Sequence, residues 1–293
     1  MPQPLRQRLD GKRFGLVLSA GFFGFYGHAG FLKGLLGAGL SPSAYAGTSA
    51  GGLVAAYAAA GASVAEIEEL VFRQTRGSFW DPDPLGVLVG AARGGHGPTG
   101  LLKGDRFRAL LERTLPVGSF EECRYPLVLA AANLSQGRAA VFTRGSLAPR
   151  VHATCAYPGL FRAVELDGSL YWDGGLVDKA PVLALALADS EAGRDLDAIL
   201  VHYLPSRTGA DLGGPFAFVK GMDAGMAGLR RDHFRLQLRA LEGRMPVYVV
   251  VSTLPPVSPT TMERGFDAAD QARLSAEEAL SRRPVEFDAD SEG

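Results

Sequence analysis

Residues 47–51 of the chain read Gly47-Thr48-Ser49-Ala50-Gly51, and an Ala- and Leu-rich helical pattern follows them at once. Glycines two positions before and two positions after Ser49 carry no Cβ, so the backbone can turn sharply there between a strand and a helix. Such a turn exposes the serine hydroxyl beside the first amides of the helix, whose dipole favours developing negative charge. In a chain with 38 glycines the bare pattern is weak, but its place between a strand and a helix predicts a nucleophile elbow. Ser49 is the candidate nucleophile, with Gly47 and Gly51 as the elbow glycines.

The composition describes an ordinary globular protein with a sizeable core. Of 293 residues, 47% are hydrophobic and 21% are charged. A net charge of −1 creates no field that would recruit nucleic acid. Cys123 and Cys155 are the only cysteines and lack Cys-x-x-Cys spacing, which argues against a disulfide framework or a structural zinc site. We therefore expect no metal ion and no cofactor.

The distribution of apolar residues along the sequence indicates where in the cell the protein is expected. Residues 1–12 are polar and basic and lack the apolar segment of a secretory signal. No run of 18 apolar residues occurs, and residues 85–92 form too short an apolar run to span a bilayer. We expect a cytoplasmic protein that is able to touch a membrane surface at its periphery.

Strand and helix patterns alternate along the chain. Short apolar runs predict strands at residues 14–19, 126–132, 138–143, 163–166, 170–172, 196–204 and 247–252. Helical patterns lie at residues 28–38, 63–74, 105–115, 148–156, 182–188 and 216–242; Ser63 and Glu66 form a capping box, and Thr260 and Glu263 are expected to cap a final helix. The alternation predicts an α/β fold with a mainly parallel sheet covered on both faces. We expect one domain over residues 1–285 and an acidic, disordered tail over residues 286–293.

Residues 76–104 differ from the rest because they are rich in glycine and proline and contain Phe79 and Trp80. Helix-breaking residues at this density predict either a mobile segment that borders a substrate entrance or an irregular surface loop.

Two further motifs carry residues suited to catalysis. A glycine-rich loop over residues 20–27 follows the first predicted strand, an arrangement that presents backbone amides to an anion or simply forms a tight turn. The dinucleotide pattern Gly-x-Gly-x-x-Gly is absent from it. Asp173 ends a predicted strand and is followed by Gly174 and Gly175, which let a ligand or another chain segment approach closely. Asp173 is either a catalytic base or a turn aspartate that bonds its own backbone.

Together these motifs resemble those of the patatin-like phospholipases, a family of lipid acyl hydrolases with a Ser-Asp dyad. The resemblance covers about residues 14–204 and rests on Ala-Gly-Thr-Ser-Ala-Gly-Gly at 46–52, Ala-Thr-Cys-Ala-Tyr-Pro-Gly-Leu-Phe at 153–161 and Leu-Tyr-Trp-Asp-Gly-Gly-Leu-Val-Asp at 170–178. It implies a three-layer α/β/α fold, Ser49 as nucleophile and Asp173 as its partner base. It also implies that Gly21, Phe22 and Phe23 offer oxyanion amides.

The glycine loop departs from the family pattern of three glycines, one residue, a basic residue and a glycine. Gly24 stands where the family has Arg or Lys. Phe22 and Phe23 donate backbone N–H groups as well as glycine does, but the basic side chain is lost. Thr154 replaces a usual Ser, and Arg162 a usual Pro. These departures bear on efficiency and substrate more than on the fold.

The predicted activity is hydrolysis of carboxylic esters of lipids, of phospholipase A or lysophospholipase type. Asp173 would take the proton of Ser49 as Oγ attacks the ester carbonyl, and the loop amides would hold the oxyanion. A free aspartate has a pKa of about 3.9, which is poorly matched to a base at neutral pH. Burial or tight positioning would have to compensate.

Two alternatives stay open. A Ser-His-Asp hydrolase would use His202 or His233 as base, because the order serine, aspartate, histidine also occurs in α/β-hydrolases. His202 lies in an apolar strand, where a hydrogen-bonded core histidine is the more common arrangement. The altered glycine loop motivates the second alternative, a catalytically weak relative that binds lipid or a protein partner.

Some residues bear on the expected partner, a lipid or other ester. Aromatic residues of the glycine loop either line an acyl site or pack in the core: Phe22, Phe23, Phe25 and Tyr26. Five arginines either meet anionic head groups or form a solvated helix face: Arg230, Arg231, Arg235, Arg239 and Arg244.

Overall fold

The computed structural model describes residues 3–73, 75–92, 99–206, 217–258 and 260–284. Its strands in these ranges are Phe14–Leu18 (β1), Ala44–Thr48 (β2), Gly100–Leu102 (β3), Leu127–Asn133 (β4), Arg138–Phe142 (β5), Gly159–Phe161 (β6), Val164–Leu166 (β7), Ser169–Asp173 (β8), Ala198–Tyr203 (β9) and Val247–Val251 (β10). Its α-helices are Leu5–Leu9 (α1), Phe25–Gly37 (α2), Ala50–Ala59 (α3), Val64–Arg73 (α4), Arg76–Phe79 (α5), Pro84–Ala92 (α6), Asp105–Thr114 (α7), Leu147–Cys155 (α8), Val182–Glu191 (α9), Ala217–Leu241 (α10) and Gly265–Ser281 (α11). None of these described helices is long and apolar enough to cross a membrane.

Eight of the described strands form one sheet in the order β10-β9-β1-β2-β4-β8-β7, with β5 also paired to β4. The strands β10, β9, β1, β2 and β4 are parallel to one another. The pairings of β5, β8 and β7 are antiparallel. The predicted α/β fold with a mainly parallel sheet is therefore confirmed, with an antiparallel extension at one side that carries Asp173.

Helices cover both faces of the sheet. Leu16 and Leu18 of β1 belong to an apolar cluster with side chains of α2, α3 and α11. Val17, between them, points to the opposite face, into a cluster with side chains of α9 and α10. Since successive side chains of a strand point to opposite faces, β1 is buried from both sides, which gives three layers.

Several predicted boundaries need correction. α2 begins at Phe25, three residues before the predicted start, so part of the glycine loop is helical. The predicted capping box of α4 is confirmed, since Glu66 accepts from the backbone N–H of Ser63 at 2.7 Å. Capping of α11 by Thr260 and Glu263 is wrong: a 3₁₀ turn over residues 262–264 precedes a helix that begins at Gly265, and the hydroxyl of Thr261 instead accepts from the N–H of Ser258 at 3.0 Å.

Parts of other predictions lie outside the described residues. Residues 76–104 contain α5, α6 and β3, and within them residues 93–98 are outside the description. The predicted tail over residues 286–293 is outside it as well.

The close packing of α2 on α11 depends on glycines. Gly27, Gly30 and Gly34 are spaced as one helix face, which lies against Ala269, Ala272 and the backbone of α11. A Cβ at Gly30 would overlap the backbone carbonyl of Ala269, and a backbone atom cannot move aside as a flexible side chain can. The two helix backbones therefore approach too closely for any larger residue at this position.

We predict that Gly30→Ala lowers the free energy of unfolding by about 2–3 kcal/mol, because the added methyl forces α2 and α11 apart. Gly37→Ala is the matched control: it lies in the same helix, and a Cβ added there would meet no atom within 4 Å, so stability should stay the same or rise by up to about 1 kcal/mol. Urea unfolding measures both. Equal stabilities for the two variants would contradict the packing described here.

Candidate active site

The predicted elbow lies between β2 and α3. Ser49 joins the two elements with φ 56° and ψ −126°, a conformation that is costly for a residue with a side chain. Contacts from α8 hold it there: the N–H of Ser49 donates to Thr154 Oγ1 at 3.0 Å, and that hydroxyl donates to the carbonyl of Ala130 at 2.5 Å. Thr154 thus ties the elbow to β4.

Gly47 and Gly51 lie where other residues would not fit. A Cβ at Gly47 would stand 2.6 Å from the carbonyl carbon of Gly51. A Cβ at Gly51 would overlap the carbonyl of Leu18 at the end of β1. These clashes explain in steric terms why the turn needs glycine on both sides of the serine.

The pairing of β4 brings Asp173 to Ser49. β5 occupies one edge of β4 from Leu129 to Asn133, so β2 and β8 share the other edge. On that edge Thr48 is opposite Ala130, and Asp173 is opposite the next residue, Ala131. β2 runs parallel to β4 and β8 runs antiparallel to it, so these two strands meet end to end where Ser49 and Asp173 lie.

The segment after Asp173 is tied to the same end of the sheet. The hydroxyl of Thr48 donates to the carbonyl of Asp178 at 2.9 Å. The N–H of Ala20, at the start of the glycine loop, donates to the carbonyl of Lys179 at 2.7 Å. Residues 174–179 therefore cross the end of β2 and connect the aspartate to the glycine loop after β1.

Ser49 and Asp173 form a short hydrogen bond. Ser49 Oγ donates to Asp173 Oδ2 at 2.5 Å, and Oδ1 of the same carboxylate accepts from the N–H of Gly175 at 2.7 Å. Asp173 is 2% exposed. Burial raises its pKa to about 6, against the opposing effects of these two hydrogen bonds and of the positive charge of Arg230. The carboxylate is thus ionised at neutral pH and a stronger base than a free aspartate.

The glycine loop presents free amides. Gly24 donates its N–H to the carbonyl of Gly21 at 2.9 Å, which closes a turn, and Phe23 has φ 55°. No acceptor in the described part of the chain takes the N–H of Gly21, Phe22 or Phe23, and all three residues line the same cavity as Ser49. Amides without partners beside a candidate nucleophile are what an oxyanion hole would require.

Ser49 and Asp173 open onto a cavity of about 1050 Å³. Most of its wall is apolar, with contributions from α3, α4, α7 and β6, among them Leu53, Tyr57, Val71, Phe107, Leu111 and Phe161. Phe22, Phe23 and Phe25 of the glycine loop line it too, whereas Tyr26 is buried in the core. Phe79, near the start of the glycine- and proline-rich stretch, lines the cavity as well.

His202, one of the two candidate bases of the triad alternative, is engaged in the core. His202 is fully buried, with its Nδ1 2.9 Å from Nδ1 of His28 and its ring stacked on Phe31. His28 Nε2 donates to the carbonyl of Ser19 at 2.8 Å. Burial lowers the pKa of His28 to about 4 and that of His202 well below its usual value. The pair is therefore neutral and forms part of the core.

The other histidines give no triad geometry among the described residues. Nδ1 of His233 lies 3.9 Å from Oδ1 of Asp178, and His152 is buried against Phe107 and Phe161. His96 lies outside the described residues. Within the described ranges, no three His, Cys, Asp or Glu side chains converge as metal ligands would.

The sequence reasoning missed several residues of the site. Lys179 and Ser252 line the cavity, and neither was singled out by a motif. Lys179 directly follows the motif at residues 170–178, and a lysine within an apolar stretch near a candidate base was the available signal. Of the basic stretch, Arg230 lines the cavity. Arg239 is exposed on α10, as the solvated-face interpretation expects, and Arg244 is exposed beyond the end of that helix.

Comparison with known proteins identifies the family. Residues 16–186, more than half of the chain, match the family model described as patatin-like phospholipase. The chain belongs to the patatin-like phospholipases. This is a family of lipid acyl hydrolases, and the elbow, the Asp173 block and the glycine loop all lie within the matched residues.

Two relatives and one solved structure are also similar to this chain. An NTE family protein of Mycobacterium tuberculosis is 28% identical over 214 residues, which are 68% of this chain and 56% of that protein. A second from the same organism is 29% identical over 180 residues, covering 60% of this chain and 29% of that protein. The chain thus spans about half or less of the length of these patatin-like relatives. VipD from Legionella pneumophila aligns with a TM-score of 0.49 at 15% identity, over 93% of this chain and 67% of that one.

Proposed function

We propose that this patatin-like protein is a serine acyl hydrolase that cleaves carboxylic esters of lipids through a dyad of Ser49 and Asp173. The observation that carries the proposal is the 2.5 Å hydrogen bond from Ser49 Oγ to the buried Asp173 Oδ2. It joins a nucleophile to a base inside a large apolar cavity, which is the arrangement that acyl transfer needs.

Asp173 acts as base and then as acid. It accepts the Ser49 proton as Oγ attacks the ester carbonyl, and the amides of Gly21, Phe22 and Phe23 stabilise the oxyanion. Asp173 then gives the proton to the leaving alcohol, which leaves an acyl-enzyme. Water next attacks the acyl carbonyl while Asp173 takes its proton, and collapse of the second tetrahedral intermediate returns that proton to Ser49 and releases the carboxylic acid.

The apolar wall suits a long acyl chain. Each methylene that moves from water into such a wall contributes about 0.8 kcal/mol, or about fourfold in affinity. Val71 and Leu111 are 2% and 1% exposed, so the wall reaches deep into the core. A fatty acyl ester of phospholipase A or lysophospholipase type is therefore the proposed substrate.

We predict that Asp173→Asn lowers kcat nearly as much as Ser49→Ala, on the order of 10⁴- to 10⁶-fold, because the amide cannot accept the serine proton. Hydrolysis of a long-chain p-nitrophenyl ester measures both. Asp178→Asn is the matched control, since Asp178 is also buried in the segment after β8 but bonds Gln237; its kcat should stay within about tenfold of wild type.

The histidine variants separate the dyad from a triad. His233→Gln and His202→Gln should each keep kcat within about tenfold when folded. A histidine variant as inactive as Ser49→Ala would show that this histidine, and not Asp173, is the base. Full activity of Asp173→Asn would refute the dyad.

We further propose that the cavity mouth meets a lipid surface through α6. Leu85, Leu88 and Val89 share one face of that helix and are 73%, 67% and 45% exposed, an apolar stripe of the kind that marks interaction surfaces. The start of α6 adjoins the cavity wall, because Asp83 pairs with Arg162, the residue directly after cavity-lining Phe161. Phe22 and Tyr157, whose rings touch, also line the cavity and are exposed.

We predict that Leu88→Glu weakens binding to phosphatidylcholine–phosphatidylglycerol vesicles about tenfold or more, because a charge replaces an apolar contact with the membrane. Leu274→Glu is the control, since Leu274 is 49% exposed on a different helix, α11. Vesicle sedimentation measures both variants. Equal binding of the two would rule out α6 as the docking face.

A further inference from the structure

Two cationic side chains, those of Lys179 and Arg230, line the cavity, and Ser206 and Ser252 line it as well. Among the lining residues that the structure describes, these two cations accompany a single acid, Asp173. An apolar cavity with two cations favours an amphiphile that carries an anionic group.

A backbone hydrogen bond fixes the position of Lys179 at the cavity wall. Its carbonyl is held by the N–H of Ala20, next to the glycine loop. Its side chain is 4% exposed, Nζ donates to Ser206 Oγ at 2.8 Å, and the ammonium lies 4.5 Å from the ring centroid of Tyr203. Lysine is among the residues least often buried. Lys179 is buried, and it lines a cavity that is large enough for a ligand.

Arg230 brings the second cation next to the dyad. Its Nη1 donates to the carbonyl of Gly175 at 3.2 Å, two residues after Asp173. Gln237 of the same helix donates to Asp178 Oδ1 at 2.9 Å, so α10 packs against the segment that ends at Lys179.

Ser252 supplies an independent observation. It is 1% exposed and lines the cavity, and its Oγ has no hydrogen-bond partner within the described residues. The N–H of Ser252 donates to the carbonyl of Tyr203. Tyr203 is also the residue whose ring contacts the ammonium of Lys179. A buried hydroxyl without a partner costs free energy unless a ligand completes its hydrogen bond.

We propose that Lys179, Arg230 and Ser252 form an anion subsite that binds the phosphate in the head group of the acyl-ester substrate. The inference rests on the proposed function of Ser49 and Asp173 and assigns the residues of that site that distinguish a phosphate ester from a neutral acyl ester. The acyl chain lies along the apolar wall, the ester carbonyl at Ser49, and the phosphate at Lys179 and Arg230. A phosphate attached to a lipid, rather than inorganic phosphate, is the ligand, because the cationic and apolar side chains line one cavity.

The first experiment compares a 1-acylglycerol 3-phosphate with the 1-acylglycerol of the same chain length, both as monomers. Wild-type kcat/KM should favour the phosphate ester about 10- to 100-fold, the range expected for charge-assisted hydrogen bonds. Lys179→Met and Arg230→Gln should each reduce this ratio about tenfold, Ser252→Ala should reduce it less, and Lys179→Arg should retain most of it. Arg239→Gln, an exposed arginine of the same helix, should leave the ratio unchanged.

The second experiment needs no catalysis. Calorimetry on the Ser49→Ala protein should show that dodecyl phosphate binds at least about tenfold more tightly than neutral dodecyl glucoside, and that Lys179→Met in this background removes the difference. Equal binding of the two amphiphiles, or binding of inorganic phosphate as tight as that of dodecyl phosphate, would overturn the subsite. Tight dodecyl phosphate binding by a wild-type protein that cleaves no ester would sustain the subsite and refute the proposed function instead.

Discussion

The site depends on the way two strands share one edge of β4. With β5 on the opposite edge, β2 and β8 run toward each other and end at adjacent residues of β4, Ala130 and Ala131. The hydrogen bond from Ser49 to Asp173 is a consequence of that meeting. Other features of the site keep the two ends together: the elbow glycines, the Thr154 hydroxyl that ties the elbow to β4, and the segment that crosses back to the glycine loop.

Burial then sets the electrostatics of the site. The same low-dielectric environment that raises the pKa of Asp173 to about 6 lowers that of His28 to about 4. The carboxylate becomes a base suited to neutral pH, while the histidine pair stays neutral in the core. Arg230 limits the rise in the pKa of Asp173, since its positive charge favours the ionised carboxylate. A dyad without histidine is therefore physically reasonable in this fold, where a free aspartate in water is too weak a base.

Features with local causes were predictable from the sequence, and features with distant causes were not. The elbow at Ser49 follows from glycine sterics within five residues, and buried strands such as β1 and β9 follow from short apolar runs. The approach of Asp173 to Ser49 came from family resemblance, because pairing on β4 joins residues 124 positions apart. The position of Arg230 at Gly175 depends on how α10 packs against the segment after β8, for which no local pattern exists. The start of α11 was mispredicted because a 3₁₀ turn intervened between the expected cap and the helix.

Reaction with an alkyl fluorophosphonate tests the central claim, that Asp173 activates Ser49, most directly. Mass spectrometry of the labelled protein should find one adduct, on Ser49, although Ser206 and Ser252 line the same cavity. The labelling rate should rise as the pH passes through about 6, because only the ionised form of Asp173 accepts the proton. An adduct on another serine, or a Ser49 labelling rate that does not change between pH 4.5 and 7.5 (roughly the span over which a group with this pKa titrates), would contradict the account.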